Sequence, residues 1–519
     1  MVSKSSRATT LPTAPPPVAS SGLDRWFGIT ERGSTVAAEV RGGLVTFFTM
    51  AYIVVLNPLI IGMAPDKNGN LISGAPYQDA SGAVIGANVG PSIAMVAAAT
   101  ALIAGLMTIA MGVYGRYPLG LATGLGLNAL LAYGIVRHMS WPEAMGLVVW
   151  EGILITLLVL TGVRRAIFKA VPRSLRTAIS AGIGLFIAFV GLVDAGVVRI
   201  PVTPEGKPAS TVPVELGVHG TLLGWPIAVF VLGFVLLVAL YVRKVKGAML
   251  IAILAATVVA MIIEAVAKIG PSVSAAGHNP LGWALNVPTI KAESLLQLPD
   301  LSLLGRVDLL GAFRGGPSAV IYVVLTIFAL LLADFFDTMG TIVAVGSEAG
   351  ILDEDGNPPH TQEVLLVDSL AAVAGGLGSV SSNTSYIESA AGVGEGARTG
   401  LASVVTGAGF LVAMFLAPLV NLVPSEAAAP VLFFVGYLMM MQVVDLDWHD
   451  VETAVPAFVT MVLMPFTYSI TAGIGAGFVL YVLIKMFRGK ARSLHPLLIA
   501  VALLFVVYFA QGLILSSVG

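Results

Sequence analysis

Three carboxylates stand where a chain this apolar should not carry them. Asp334 and Asp337 lie well inside the run SAVIYVVLTIFALLLADFFDTMGTIVAV (318–345), and Glu388 lies in the polar run GSVSSNTSYIES (378–389). An ionised Asp near the centre of a membrane span costs about 2.5 to 3.5 kcal/mol on the insertion scale, so residues of this kind persist where they are used. Three positions apart on a helix, the two Asp are about 60° apart on the wheel and share a face, which is predicted to line a cavity. Asn128, closing the stretch PLGLATGLGLN (118–128), adds an amide that both donates and accepts. Carboxylates and an amide, with no Arg or Lys at the same depth, suit an uncharged planar molecule bearing N–H groups, because a carboxylate pairs adjacent N–H donors in bidentate fashion.

Other polar and aromatic residues read less sharply. Asp337 also fits helix–helix hydrogen bonding, and Asp368 fits a structural or proton-pathway role. Glu151 and Glu264 are placed near span ends, where they can snorkel. Tyr386, two residues before Glu388, suits stacking on a planar ligand or plain packing, as do Phe47, Phe48 and Tyr52. The six histidines fall in loops or at span ends, and no Ser–His pair or metal-ligand set converges, so we expect no catalytic residue, metal or cofactor. Gly124, Gly126 and Ala129 match a dinucleotide fingerprint in spacing but lack its strand–helix–strand context. Asp353, Asp355 and Asn357 read as a turn rather than a calcium loop.

These groups need walls. Of 519 residues, 57% are hydrophobic and 11% charged, against about 25% charged in soluble chains, and mean hydropathy is +0.93. The chain is therefore read as an all-α polytopic membrane protein embedded in a lipid bilayer. Its net charge of −2 argues against a nucleic-acid partner, and its lack of cysteine removes disulfides and thiolate metal sites.

Apolar runs between polar breaks give seven candidate spans at 42–62, 92–113, 119–136, 142–161, 175–193, 221–242 and 248–265. Seven more follow at 318–345, 364–377, 380–393, 401–420, 430–444, 456–470 and 472–487. Seven per half is odd, so two related halves would insert with opposite topology, as inverted repeats. Pro172 precedes Gly184 by twelve residues and Pro424 precedes Gly436 by the same offset, a faint echo between halves. The third span of each half, rich in Gly or in Ser, Thr and Asn, is predicted to be a short extended stretch followed by a half-helix. Glu388 would sit where the second turns into its half-helix, and Asn128 at the equivalent turn of the first. Lys and Arg before span one, after spans four and six, and after span fourteen place the N-terminus in the cytoplasm. Residues 1–40 read as a disordered cytoplasmic tail, 271–317 as a long loop, and 491–519 as a further apolar segment that crosses the membrane or lies at its interface.

The chain resembles the AzgA-type purine permeases of the nucleobase cation symporter-2 family over nearly its whole length. The matching stretches are GLVTFFTMAYIVVLNP (43–58), GLGLNA (124–129), DFFDTMGT (334–341), TSYIESAAGVGEGARTGLASVVTG (384–407) and MPFTYSITAGIGAGF (464–478). The resemblance implies fourteen spans in two inverted seven-span repeats and a homodimer working by an elevator-like step. It also implies a core domain (41–165 and 318–424) and a gate domain (166–270 and 425–490). It assigns base contact to Asp334 and Glu388, with Asp337, Gly126 and Asn128 alongside; Tyr386 joins them as a candidate from its position. Asp334, Asp337 and Glu388 are the proton-coupling candidates. The function expected is import of purine nucleobases (guanine/hypoxanthine or adenine) across the plasma membrane, coupled to a cation, H+ ahead of Na+. A uracil or xanthine permease is the alternative within the family, and an intramembrane enzyme the alternative outside it.

Overall fold

The computed structural model describes residues 21–518 apart from 81, 83, 162–170, 202–213, 275–276, 285, 290–297 and 354–357. Residues 1–20 and the basic residues 164, 165 and 169 lie outside this set, as do 355 and 357 of the turn considered above.

The first half contains α1 (Gly22–Phe27), α2 (Val36–Met50), α3 (Ile53–Ile61) and α4 (Gly86–Ala110), then β1 (Leu121–Thr123), α5 (Leu125–Ala129) and α6 (Trp141–Leu160). There follow α7 (Arg173–Asp194), the ribbon β2 (Val198–Arg199) with β3 (Glu215–Leu216), α8 (Trp225–Val242) and α9 (Ala248–Ala267). After the ribbon β4 (Val273–Ser274) with β5 (Gly277–His278), the second half runs α10 (Pro317–Ala349), α11 (Thr361–Leu377), β6 (Asn383–Ser385), α12 (Ser389–Val393) and α13 (Gly400–Ala413). It ends with α14 (Ser425–Met440), α15 (Val451–Thr467), α16 (Ile470–Phe487) and α17 (Pro496–Val518).

Ten helices among the described residues are long and apolar enough to cross a membrane. The four other expected spans are shorter. Helices α11 and α15 have 17 residues each, and the segments at 119–136 and 380–393 are interrupted as predicted, each by a three-residue strand. The two strands pair antiparallel with each other, Leu121 opposite Ser385 and Thr123 opposite Asn383. The long helix α10 starts at Pro317, whose missing N–H costs nothing in the first turn, and stops at Gly350 with φ 65°, the left-handed conformation that glycine tolerates.

One expectation, at the N-terminal end of the described residues, needs correction. The tail expected over 1–40 is helical at Gly22–Phe27 and again from Val36. Asp24 fixes that turn by accepting from the Thr30 backbone N–H (2.8 Å) and hydroxyl (2.6 Å), while Glu39 accepts from Arg398 N at 2.8 Å. These bonds, one set local and the other reaching across the chain to the loop after α12, are invisible to a composition argument and order the segment. The C-terminal apolar segment is a 23-residue helix packed on α16 and α10, with Phe505 fully buried.

Packing pairs recur when the halves are exchanged. Helix α4 packs on α13 as α11 packs on α6, α2 on α13 as α10 on α6, α8 on α9 as α15 on α16, and α7 on α15 as α14 on α8. Helices α7 and α14 pack on each other. Pro172 and Pro424 are their N-caps, and Gly184 and Gly436 are where they touch. A Cβ on Gly184 would lie 2.8 Å from the Gly436 carbonyl oxygen, and one on Gly436 would lie 2.4 Å from the Gly184 carbonyl oxygen. The faint sequence echo therefore marks a helix crossing that only small residues allow.

Candidate functional site

The strand pair β1·β6 holds extended backbone inside the helical body, and its polar groups are satisfied locally. Gly124 N donates to Ser382 O at 3.0 Å and Tyr386 N to Gly120 O at 3.0 Å. Gly120 N donates to Ser389 Oγ at 2.9 Å. The Ser403 hydroxyl of α13 accepts from Leu119 N (2.8 Å) and donates to Tyr117 O (2.7 Å). Irregular backbone survives in an apolar body only under such conditions.

At the ends of these strands lies a cavity of about 110 Å³. Asp337, Glu388, Tyr52, Thr384 and Ser385 supply its polar surface, and α7 and α14 close it with apolar side chains such as Ile183 and Met439. Glu388 is the N-cap of α12, half-buried, and its Oε1 accepts the Tyr52 hydroxyl at 2.5 Å. Asp337 is exposed into the cavity.

Of the residues singled out from sequence, Asp337, Glu388, Gly126 and Tyr386 line this cavity. Tyr386 presents its ring there while its hydroxyl donates to Thr123 O at 2.5 Å, so the phenol is tied to β1. Gly126 brings α5 against α7, since a Cβ there would lie 2.4 Å from Ile183 Cγ2.

Asp334 and Asn128 are placed differently from the expected common cluster. Both are fully buried and absent from the cavity lining. The roughly 60° between Asp334 and Asp337 on the helical wheel is enough to turn one into the cavity and the other away from it. Asn128 lies past the turn, because α5 is capped by Gly124, and its amide donates to Thr123 Oγ1 at 3.2 Å. Glu151 does not snorkel: it is fully buried midway along α6 and accepts the Ser382 hydroxyl at 3.2 Å. Glu264 does sit at its helix end, capping Ile269 N at 3.0 Å and binding the Trp283 indole N–H at 2.8 Å. Sequence reasoning passed over Thr341, Ser180 and Met439 as cavity residues; the matched Gly184 and Gly436 were the available signal, since their crossing brings α7 and α14 to the site.

Comparison with known proteins follows the same lines. The profile described as "Permease family", of the xanthine/uracil permease type, matches residues 81–476. The chain is 36% identical to the adenine permease AdeP of Escherichia coli K12 over 490 residues, 93% of this chain and 95% of that protein. It is 35% identical to the guanine/hypoxanthine permease PbuG of Bacillus subtilis 168 over 492 residues, 94% of this chain and 99% of that protein. In structure it resembles the transmembrane domain of a cyanobacterial bicarbonate transporter, BicA, with a TM-score of 0.55 and 14% identity, covering 85% of this chain and 97% of that one.

Proposed function

Because the chain belongs to the permease family that includes adenine and guanine/hypoxanthine permeases, we propose that it imports purine nucleobases by proton symport. The carrying observation is the cavity at the β1·β6 crossing, whose wall brings Glu388 and Asp337 together with Tyr386 and several hydroxyls, closed by apolar side chains of α7 and α14. A neutral bicyclic base offers N–H donors to the two carboxylates and a flat face to the ring. Gly126 keeps that wall low, and Tyr52 holds Glu388 in position. Asp334 and Asn128 act from behind the wall, Asp334 in proton coupling and Asn128 by steadying the β1 turn.

In this reading the ten long helices and four shorter segments are fourteen spans in two inverted repeats, supported by the exchange of packing pairs. Helices α2–α6 and α10–α13 form the core that carries the site; α7–α9 and α14–α16 form the gate. The core moves as an elevator against the gate, in a homodimer in the plasma membrane with its N-terminus in the cytoplasm. The chain is a carrier rather than an enzyme.

Uptake of labelled adenine and hypoxanthine into proteoliposomes, with an inward proton gradient and then with a protonophore, tests the proposal. Gradient-dependent uptake, competed by unlabelled purines, is expected. Competition by uracil or xanthine alone supports a uracil or xanthine carrier, and stimulation by Na+ without a proton gradient removes the proton from the scheme.

A further inference from the structure

Behind the cavity wall lies a set of acids that base recognition does not use. Asp334 of α10 and Glu151 of α6 are fully buried, and Asp368 of α11 is 1% exposed. Four hydroxyls surround them. Thr338 donates to Asp368 Oδ1 at 3.1 Å, Ser385 donates to the same oxygen at 2.7 Å, and Ser382 donates to Glu151 Oε1 at 3.2 Å. Thr338 has one hydroxyl proton, and Asp368 takes it. Thr384 lies beside Asp334 and 2.8 Å from Thr338, so its single hydroxyl proton is the one donor that Asp334 could share. Neither oxygen of Asp334 has a well-aligned hydrogen bond, and Oε2 of Glu151 has no donor. The charges acting on Asp334 are those of Glu151, Asp368 and its helix neighbour Asp337, all acidic. Asp368 also acts on Glu151, and Asp337 is acted on by Glu388 and Asp368.

A buried carboxylate without a donor costs several kcal/mol, and neighbouring like charges add to it. One donor can be supplied without moving any atom: a proton on a carboxyl oxygen, whose O–H then finds the free lone pairs of Thr384 or of a neighbouring carboxylate. We propose that Glu151, Asp334 and Asp368 form a single proton-binding site, separate from the substrate cavity, and that the proton held there is the one transported with the base. The proposal rests on the reading of the chain as a proton-coupled base importer and adds Glu151 of α6 to it. Thr384 and Ser385 line the cavity on one side and hydrogen-bond within the acid set on the other, so a base bound at β6 and a proton bound behind it compete for, or reinforce, the same two hydroxyls. Reciprocal coupling of the two sites follows.

The test uses the purified full-length chain. Infrared difference spectra between acidic and alkaline buffer are expected to show the carbonyl stretch of a buried carboxylic acid, lost or shifted in E151Q and in D334N. Identical spectra in wild type and both variants overturn the proposal, whatever the cargo. Binding of labelled adenine and hypoxanthine is then measured across pH. Wild-type affinity should change by about tenfold per pH unit over the range where one proton is linked, and E151Q should be flat. E151Q with the wild-type slope overturns the proposal. If the wild type binds neither base, the purine reading fails while the infrared result still decides the proton site. D368N replaces E151Q in both measurements where E151Q does not yield monodisperse protein.

Discussion

Glu388 commits one carboxylate oxygen to the Tyr52 hydroxyl at 2.5 Å and lies on the cavity wall. Replacing Glu388 by Gln removes the charge that would pair with a base. Charged hydrogen bonds are worth about 1.5 to 3 kcal/mol, so affinity for adenine or hypoxanthine should drop by about 10- to 100-fold. Tyr52→Phe removes only the positioning bond, and a loss of about 1 kcal/mol, roughly fivefold, is expected. Equilibrium binding with labelled base checks both, and Glu388→Gln at wild-type affinity would detach Glu388 from the cargo. The type of these residues was legible in the sequence, because acids in an apolar chain are costly. Their directions were not. Asp334 and Asp337 share a helix face on paper, yet one faces the cavity and the other faces α6 and α11, a distinction made by tertiary packing. Asn128 was misplaced by a few positions because the cap falls at Gly124.

At the scale of elements, the interrupted spans stand or fall with a few hydroxyls and glycines. Ser403 bonds both Leu119 N and Tyr117 O at the entry to β1, and Ser403→Ala leaves these two groups only their mutual hydrogen bond at 2.9 Å, at about 0.5 to 1.5 kcal/mol for each bond lost. A lower melting temperature in detergent is expected, and an unchanged one would mean that water replaces the hydroxyl. Gly436→Val drives a side chain into the Gly184 carbonyl, where overpacking costs about 1 to 3 kcal/mol. It should impair both stability and uptake, whereas the same change at Gly340, where nothing lies within 4 Å, should leave stability unaltered. The strands were predictable because Gly and hydroxyl runs are poor helix interiors. That β1 and β6 pair with each other was not, since a strand's partner some 260 residues away leaves no local mark.

At the scale of the whole molecule, few polar contacts among the described residues tie the helix set α2–α6 and α10–α13 to the set α7–α9 and α14–α16. One lies at Glu395, just past α12, which pairs with Arg41 of α2 at 2.9 Å and with Lys246 in the turn between α8 and α9. If the sets slide against each other during transport, the Arg41 contact travels with its own set and the Lys246 contact must break. Partly exposed pairs are worth up to about 1 kcal/mol, so Lys246→Glu should shift the balance away from the arrangement with the open cavity by no more than about fivefold. The chain has no cysteine, so a single cysteine introduced at Ser180 in the cavity wall reports this directly through its labelling rate. Labelling should slow in Lys246→Glu and, by screening, in wild type at high salt. The charge swap Lys246→Glu with Glu395→Lys restores one pair while losing Arg41, so it should recover the rate only in part. A labelling rate indifferent to all three changes would mean that Glu395 braces these helix ends without gating their motion.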